Sequence, residues 1–395
     1  MAHVLIIVEN LPVPFDRRVW QEACALRDMG HSVTCICPQM RGFVTPDETL
    51  DGIQIFRHPI ANEGRGIFGF IKEYVSALWG ETKLAWQVWF QKKFDIVHLC
   101  NPPDILFLVA LPFKCFFGVK VIYDVHDVTP ELFVQKFGAR HPIGYLVRLA
   151  ERMTLWIADV VIATNESVLS IVRDRGNKSK EDTIVVRTAP NAINLKASCD
   201  EELRKSRRYL ACYIGVMGVQ DGVPLLLHAA DHVVNTMGRK DVQFLLMGTG
   251  EDYEKLVSLR SDLGLNDYVD LPGRVSDEFL ATALQTMDVG MACDPINEFN
   301  HHCTMNKTLE YMAFGKPQVM FDIREGRHSA GDAAAYVTVN DPKRFGEILV
   351  NLLDDADRRK LMGDIGRQRL STALSWENSV TQLRKAYERA LQYND

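Results

Sequence analysis

The stretch Thr304-Met305-Asn306-Lys307-Thr308-Leu309-Glu310-Tyr311-Met312-Ala313-Phe314-Gly315-Lys316-Pro317 carries its own start and stop signals. A hydroxyl able to cap comes first, then a helical run, then Gly and Pro at the exit, so the reading is a short helix capped by Thr304. The first turn of such a helix presents unpaired N–H groups and the positive end of a dipole, which suit a phosphate. Glu310 lies roughly 8–9 Å further along, at about 1.5 Å per residue. That matches the offset between a nucleotide's phosphates and its ribose, where one carboxylate can accept from two vicinal hydroxyls. On the same residues, an amphipathic surface helix with a Lys307–Glu310 pair is the alternative.

Outward from this helix, short apolar runs alternate with longer helical patterns. In the first half the strand candidates are residues 4–8, 33–37, 53–56, 96–99, 119–123, 160–163 and 184–186, with helical stretches at 17–29, 70–90 and 167–173. The pattern restarts at 210–214 and continues through 244–247, 269–271, 289–292 and 318–321. Continuous apolar strands joined by helices predict an α/β protein with doubly wound parallel sheets. A chain of 395 residues exceeds one ordinary core. The charged stretch 200–208 reads as a linker, giving domains at 1–198 and 207–375 and a last helical pattern over 376–395.

In open parallel sheets ligands gather beyond the carboxyl ends of the strands. Asp16, Arg17 and Arg18 follow the first strand and open a helix, where arginine opposes the dipole and suits an anionic ligand. His126 and Asp127 follow the run 119–123, and Asn165 follows 160–163. In the second half Gly215, Met217, Gly218, Gln220, Asp221 and Gly222 follow one strand, and Gly248 and Gly250 the next. Glycines so closely spaced let a backbone approach a ligand and offer N–H groups to phosphate. The loop lacks a P-loop Lys-Ser/Thr and the Gly-x-Gly-x-x-Gly spacing, which disfavours a kinase or a dehydrogenase.

An apolar share of 47% and a charged share of 24% are those of a soluble globular protein. The net charge of −6 argues against a general nucleic-acid binder. Nine scattered cysteines without a Cys-x-x-Cys read as core thiols in a reducing compartment. The apolar run 3–8 is too short for the core of a signal peptide, and no run of about 20 apolar residues is present, so a cytoplasmic location is expected. No metal is expected: His301-His302 are adjacent without a third ligand spaced to join them, and Asp355-Ala356-Asp357 lies in a charged helical run.

The string Asn306-Lys307…Glu310-Tyr311-Met312-Ala313…Gly315-Lys316-Pro317 resembles the nucleotide-binding helix of family 4 glycosyltransferases. Supporting matches are Gly30-His31-Ser32-Val33, His126, Ala189-Pro190-Asn191-Ala192 and Met247-Gly248-Thr249-Gly250. The resemblance implies the GT-B fold, two facing Rossmann-like domains with a cleft between them, the final helix completing the first. It implies transfer from a sugar nucleotide, most commonly of UDP, to a glycan, lipid-linked or small-molecule acceptor, with retention of configuration and no essential metal. On this chain it places the nucleotide against Thr304, Met305, Asn306, Lys307 and Glu310 and the glycine loops, and puts His126 with Asp127 at the transferred sugar. A hydrogen bond from His126 would strengthen as positive charge develops at the anomeric carbon. Asp16, Arg17, Arg18 and Asn165 fall on the acceptor side, with the loops 61–70 and 130–142.

This chain departs from the family in three places. His302 stands where a Glu, eight residues before the counterpart of Glu310, is usual. The loop 215–222 lacks the customary Arg and Lys for the diphosphate, and residues 12–18 replace a Gly-Gly loop. Arg274, Lys307 and Arg327 become candidates to neutralise the leaving group. Two other classes stay open: a sugar-nucleotide 2-epimerase, which shares the two-domain plan, and a non-catalytic sugar-nucleotide-binding subunit.

Residues 67–94 interleave Phe68, Phe70, Trp79, Trp86, Trp89 and Phe90 with Lys72, Lys83, Lys92 and Lys93, and residues 112–117 add Phe113, Lys114, Phe116 and Phe117. The spacings of seven and three put the tryptophans on one helical face. That face either covers the sheet or lies against the inner surface of a membrane, the second suiting a lipid-linked acceptor.

Overall fold

The apolar runs of the first half fold as β1 (His3–Val8), α1 (Arg17–Asp28), β2 (Ser32–Gln39), β3 (Asp47–Leu50), β4 (Ile53–Pro59), α2 (Ile67–Gln91), β5 (Ile96–Cys100), α3 (Phe107–Phe117), β6 (Lys120–Val125), α4 (Thr129–Phe137), α5 (Gly144–Ile157), β7 (Val160–Ala163), α6 (Glu166–Gly176) and β8 (Thr183–Val185). The structure, a computed structural model, describes residues 1–60, 67–138, 141–190 and 197–392. Asn191, Ala192, residues 61–66 of the acceptor-side loop, and residues 139 and 140 lie outside the described residues, as do the side chains of Phe68 and Phe70. The sheet runs β3-β4-β2-β1-β5-β6-β7-β8, parallel except for the polar edge strand β3.

The second series is β9 (Tyr209–Ile214), α7 (Val223–Asp231), β10 (Val242–Met247), α8 (Tyr253–Asp262), β11 (Val269–Gly273), α9 (Asp277–Thr286), β12 (Val289–Ala292), α10 (Asn306–Ala313), β13 (Gln318–Phe321), α11 (Arg324–Ala330), β14 (Ala334–Val337), α12 (Pro342–Asp354) and α13 (Ala356–Thr372). Its parallel sheet runs β11-β10-β9-β12-β13-β14. Chain order reverses between β1 and β5 in one sheet and between β9 and β12 in the other, which opens a crevice beyond the strand ends of each.

Residues Met1–Thr188 and Trp376–Asp395 form one unit and Ala189–Ser375 the other. The last helix, α14 (Trp376–Gln392), packs Leu383, Ala386, Tyr387 and Ala390 with β1, β2 and α1 on one face of the first sheet. On the other face lie α2, α3, α5 and α6. The division differs from the expected boundaries. The charged stretch 200–208 is part of the second unit, because its charges are satisfied there: Arg204 pairs with Asp288 and donates to the Thr286 carbonyl at 2.8 Å, and Lys205 reaches Asp270 at 2.6 Å.

The three tryptophans of α2 do not share one environment. Trp89 is buried and Trp86 half-buried against Phe113 at 4.6 Å, whereas Trp79 is exposed. Sheet cover therefore accounts for two of the three. Among the described residues no helix is long and apolar enough to cross a membrane.

Candidate active site

In the first unit the strand exits converge on a buried group of charges. Arg18, the second residue of α1, donates from Nε (2.9 Å) and Nη2 (2.7 Å) to the two oxygens of Asp124, near the end of β6. It also lies 3.0 Å from Glu22 and donates to the Val186 carbonyl at 2.8 Å. The cation that the sequence suggested for an external anion is thus committed to Asp124 and Glu22. Asp16 and Asn165, expected on the acceptor side, are buried helix N-caps that accept from the Val19 and Val168 amides. Arg17 is half-buried beside them at the start of α1.

His126 is the member of this group that faces outward. Its Nε2 lies 2.8 Å from Asp124 Oδ2, leaving Nδ1 for a ligand. Burial would lower its pKa, but the Asp124 carboxylate outweighs burial and holds the imidazole above its ordinary value. Burial would likewise raise Asp124, and Arg18, then His126, hold it well below the carboxylate range. Burial pushes Glu22 up to about 6 against the pull of Arg18.

Glu22, Asp124, His98, Asn101 and Tyr387 were not singled out from the sequence. His98 places Nε2 3.7 Å from both Glu22 and Asp124, and its Nδ1 lies 2.6 Å from the hydroxyl of Tyr387 on α14. Asn101, just past β5, accepts from the His126 amide at 2.7 Å and donates to the Asp127 carbonyl at 2.8 Å, so it sets the path of the loop. Its signal was available: the polar run Asn101-Pro102-Pro103-Asp104 directly follows an apolar strand. His98, Cys100 and Asp124 bring one ligand atom each within 4.8 Å of one another. The Arg18 guanidinium already occupies both oxygens of that carboxylate, which opposes a metal cation there.

In the second unit the glycine loops pack on one another. A Cβ on Gly248, at φ +145°, would sit 1.8 Å from the Gly215 carbonyl oxygen, and one on Gly222, at φ +67°, 2.4 Å from that of Cys293. The chain's own close packing therefore requires glycine at these positions. The amides of Gly215, Met217, Gly218 and Asp221 are bonded internally, to Met247 O, Thr249 O, the Asp221 carboxylate and Gly218 O. The expectation that this loop offers those N–H groups to phosphate is corrected: β10 and the turn after it take two of them, and the loop itself takes the other two. Gln220 lies half-buried between, its carbonyl accepting from Asn300 at 3.3 Å.

The helix read from the sequence is α10, but Met305 rather than Thr304 occupies the N-cap, without a side-chain cap bond. Thr304 precedes the turn, half-buried. Lys307 is buried with its Nζ 2.9 and 3.0 Å from the Asp294 oxygens and 4.8 Å from the Tyr213 ring centre. Burial would lower this lysine; Asp294 overcomes that and holds it charged. Its partner is thus Asp294, and Glu310, one turn on, is half-buried. Arg274 is exposed just beyond β11, next to Gly273, whose carbonyl accepts from Gly248. Arg327 is held by Asp322 at 2.7 Å and stacks on Tyr336. His302 is buried, 3.2 Å from Glu298.

Two doubly wound parallel sheets, each with its polar residues at the strand exits, define the GT-B class of α/β proteins. The chain belongs to the family 4 glycosyltransferases: residues 16–188 match the glycosyl transferase 4-like domain and residues 208–355 match glycosyl transferases group 1. It is 26% identical over 310 residues to the MMP alpha-(1->4)-mannosyltransferase of Mycolicibacterium hassiacum, covering 75% of this chain and 71% of that one. Its fold is similar to sucrose-phosphate synthase from Thermosynechococcus elongatus, with a TM-score of 0.76 at 16% identity over the whole of both chains. It is also similar to Anabaena HepE, solved in complex with UDP and glucose, with a TM-score of 0.68 at 14% identity over the whole of both chains. The protein is a glycosyltransferase, and these relatives disfavour both the epimerase and the non-catalytic subunit.

Proposed function

We propose that this enzyme transfers a glycosyl group from a UDP-sugar to a lipid-linked acceptor with retention of configuration, without a metal ion, in the cytoplasm and in peripheral contact with a bilayer. The observation that carries the chemistry is the Asp124–His126 pair, in which one ring nitrogen is held by a buried carboxylate and the other is left for a ligand. In the transfer, the bond from the anomeric carbon to the diphosphate oxygen breaks and a bond to the acceptor hydroxyl forms. The hydroxyl's proton passes to the departing diphosphate. His126 contacts the transferred sugar, and Asp127 shapes the loop beside it. Glu310 binds the ribose hydroxyls, and the charge of Arg274 offsets that of the leaving group. The UDP-bound neighbour supports the choice of nucleotide.

A thermal-shift panel of nucleoside diphosphates and sugar nucleotides tests the donor, since a ligand that binds the folded state raises its stability. UDP and a UDP-sugar are expected to shift the transition most; a panel without any shift overturns the reading. Turnover is expected to survive EDTA. Loss of activity on chelation, restored by magnesium or manganese, overturns the metal-free mechanism.

A further inference from the structure

The helices α2, α3 and α5, which cover one face of the first sheet, turn outward a surface that glycosyl transfer does not use. Among the described residues every exposed large aromatic lies on α2, α3, α4 or α5, the most exposed being Phe90 (80%), Phe116 (79%), Tyr145 (74%), Trp79 (73%) and Trp156 (68%). Scattered exposed apolar residues are ordinary, but confinement of the aromatics to one layer is not. The patch is continuous across α2 and α3: Trp86 stacks on Phe90 at 5.7 Å and meets Phe117 at 6.0 Å. On α5, Tyr145, Leu149, Arg152 and Trp156 are all exposed at helical spacing, so its outer face is apolar and basic together.

The exposed charges described on α2 and α5 are basic. Lys72, Lys83, Arg148 and Arg152 are exposed, and two acids of these helices, Glu81 and Glu151, are buried. The chain as a whole carries −6. An anionic surface would therefore repel the bulk of the protein and attract this face, which fixes the orientation of approach. A second copy of the chain fits poorly, because an isologous contact would set these cations against one another.

We propose that the outer face of α2, α3 and α5 docks on an anionic lipid bilayer, its aromatics entering the headgroup region and its Lys and Arg pairing with lipid phosphates. The inference rests on the lipid-linked acceptor of the function proposed above and supplies its physical basis: the acceptor would be met where it is embedded. The structure adds α5 to the surface that the sequence indicated and removes Trp86 and Trp89 from its outermost layer.

Sedimentation with vesicles of phosphatidylcholine alone, and of phosphatidylcholine mixed with phosphatidylglycerol, tests the proposal. The wild type is expected to pellet with the mixed vesicles at low salt and to be largely released at high salt. Neutralising Lys72, Lys83, Arg148 and Arg152 to Gln is expected to weaken binding by more than about a hundredfold. Tyr145→Ser with Trp156→Ser, confined to α5, is expected to reduce binding with the charges intact. These positions are exposed, and the UDP thermal shift of the same variants reports that they fold and still bind nucleotide. Wild type that stays in the supernatant with mixed vesicles overturns docking, whatever the nucleotide result. Self-association that the same substitutions abolish, without vesicle binding, assigns the face to a second copy and overturns it too. Vesicle binding without any nucleotide shift would keep the docking face and overturn the donor assignment alone.

Discussion

At the ends of β5 and β6 the first unit buries Arg18, Glu22, His98 and Asp124, each within 3.7 Å of two of the others, with His126 against Asp124. Beyond β9, β10 and β12 the second unit buries one ion pair, Lys307–Asp294, and otherwise sets glycine backbones directly against one another. The first arrangement holds a single side chain by charge and hydrogen bonds; the second holds a surface by close packing. Buried charges cost desolvation and tolerate no missing partner, whereas packed glycines tolerate no added atom. The two sites should therefore fail in different ways when altered.

The largest expected effect is on the first unit's stability. Arg18→Met strands Asp124 and Glu22 without their cation and is expected to lower unfolding stability by about 3–5 kcal/mol. A urea midpoint equal to wild type would mean that the charges are not interdependent. His126→Ala should cost less stability, because Arg18 still donates to both oxygens of Asp124. A fall in turnover of about a hundredfold or more is expected, with nucleotide affinity near wild type. Full activity would remove His126 from the mechanism.

Glu22 sharpens the comparison through pH. Its folded value of about 6 lies above the ordinary 4.5. The folded state therefore holds this proton more tightly than the unfolded chain does. The stability it contributes is full below about pH 4.5 and is lost as pH rises through about 6, a change on the order of 2 kcal/mol. Glu22→Gln removes that dependence, so the variant should gain on wild type between about pH 4.5 and pH 7.5 in urea unfolding. A stability difference independent of pH would show that Glu22 is not the titrating group. The smallest effect belongs to the second unit. Glu310→Gln keeps the shape of the side chain and weakens one charge-assisted contact, so UDP affinity should fall about tenfold with unfolding unchanged. Equal affinity in a calorimetric titration would move the ribose elsewhere.

Strands and helices were legible wherever apolar runs were long. The runs 160–163, 289–292 and 318–321 coincide with β7, β12 and β13. The edge strand β3 was not legible, because Asp47-Glu48-Thr49-Leu50 is mostly polar and forms by pairing with β4 rather than by burial. The Ala-rich β14 gives an equally weak signal. His126, Lys307 and Glu310 could be picked out because polar residues directly after an apolar strand, or in a well-delimited helix, stand out locally.

The sequence by itself determined the alternation of strand and helix, the two doubly wound sheets and the positions of the strand-end polar residues, because periodicity and punctuation are local properties. Only the tertiary structure decided what those residues do for one another. Arg18 and Asp124 meet across 106 positions and His98 and Tyr387 across 289, and Gly248 comes against Gly215 only because β10 lies beside β9. Such contacts follow from which strands become neighbours in the sheet, and no window of sequence contains that information.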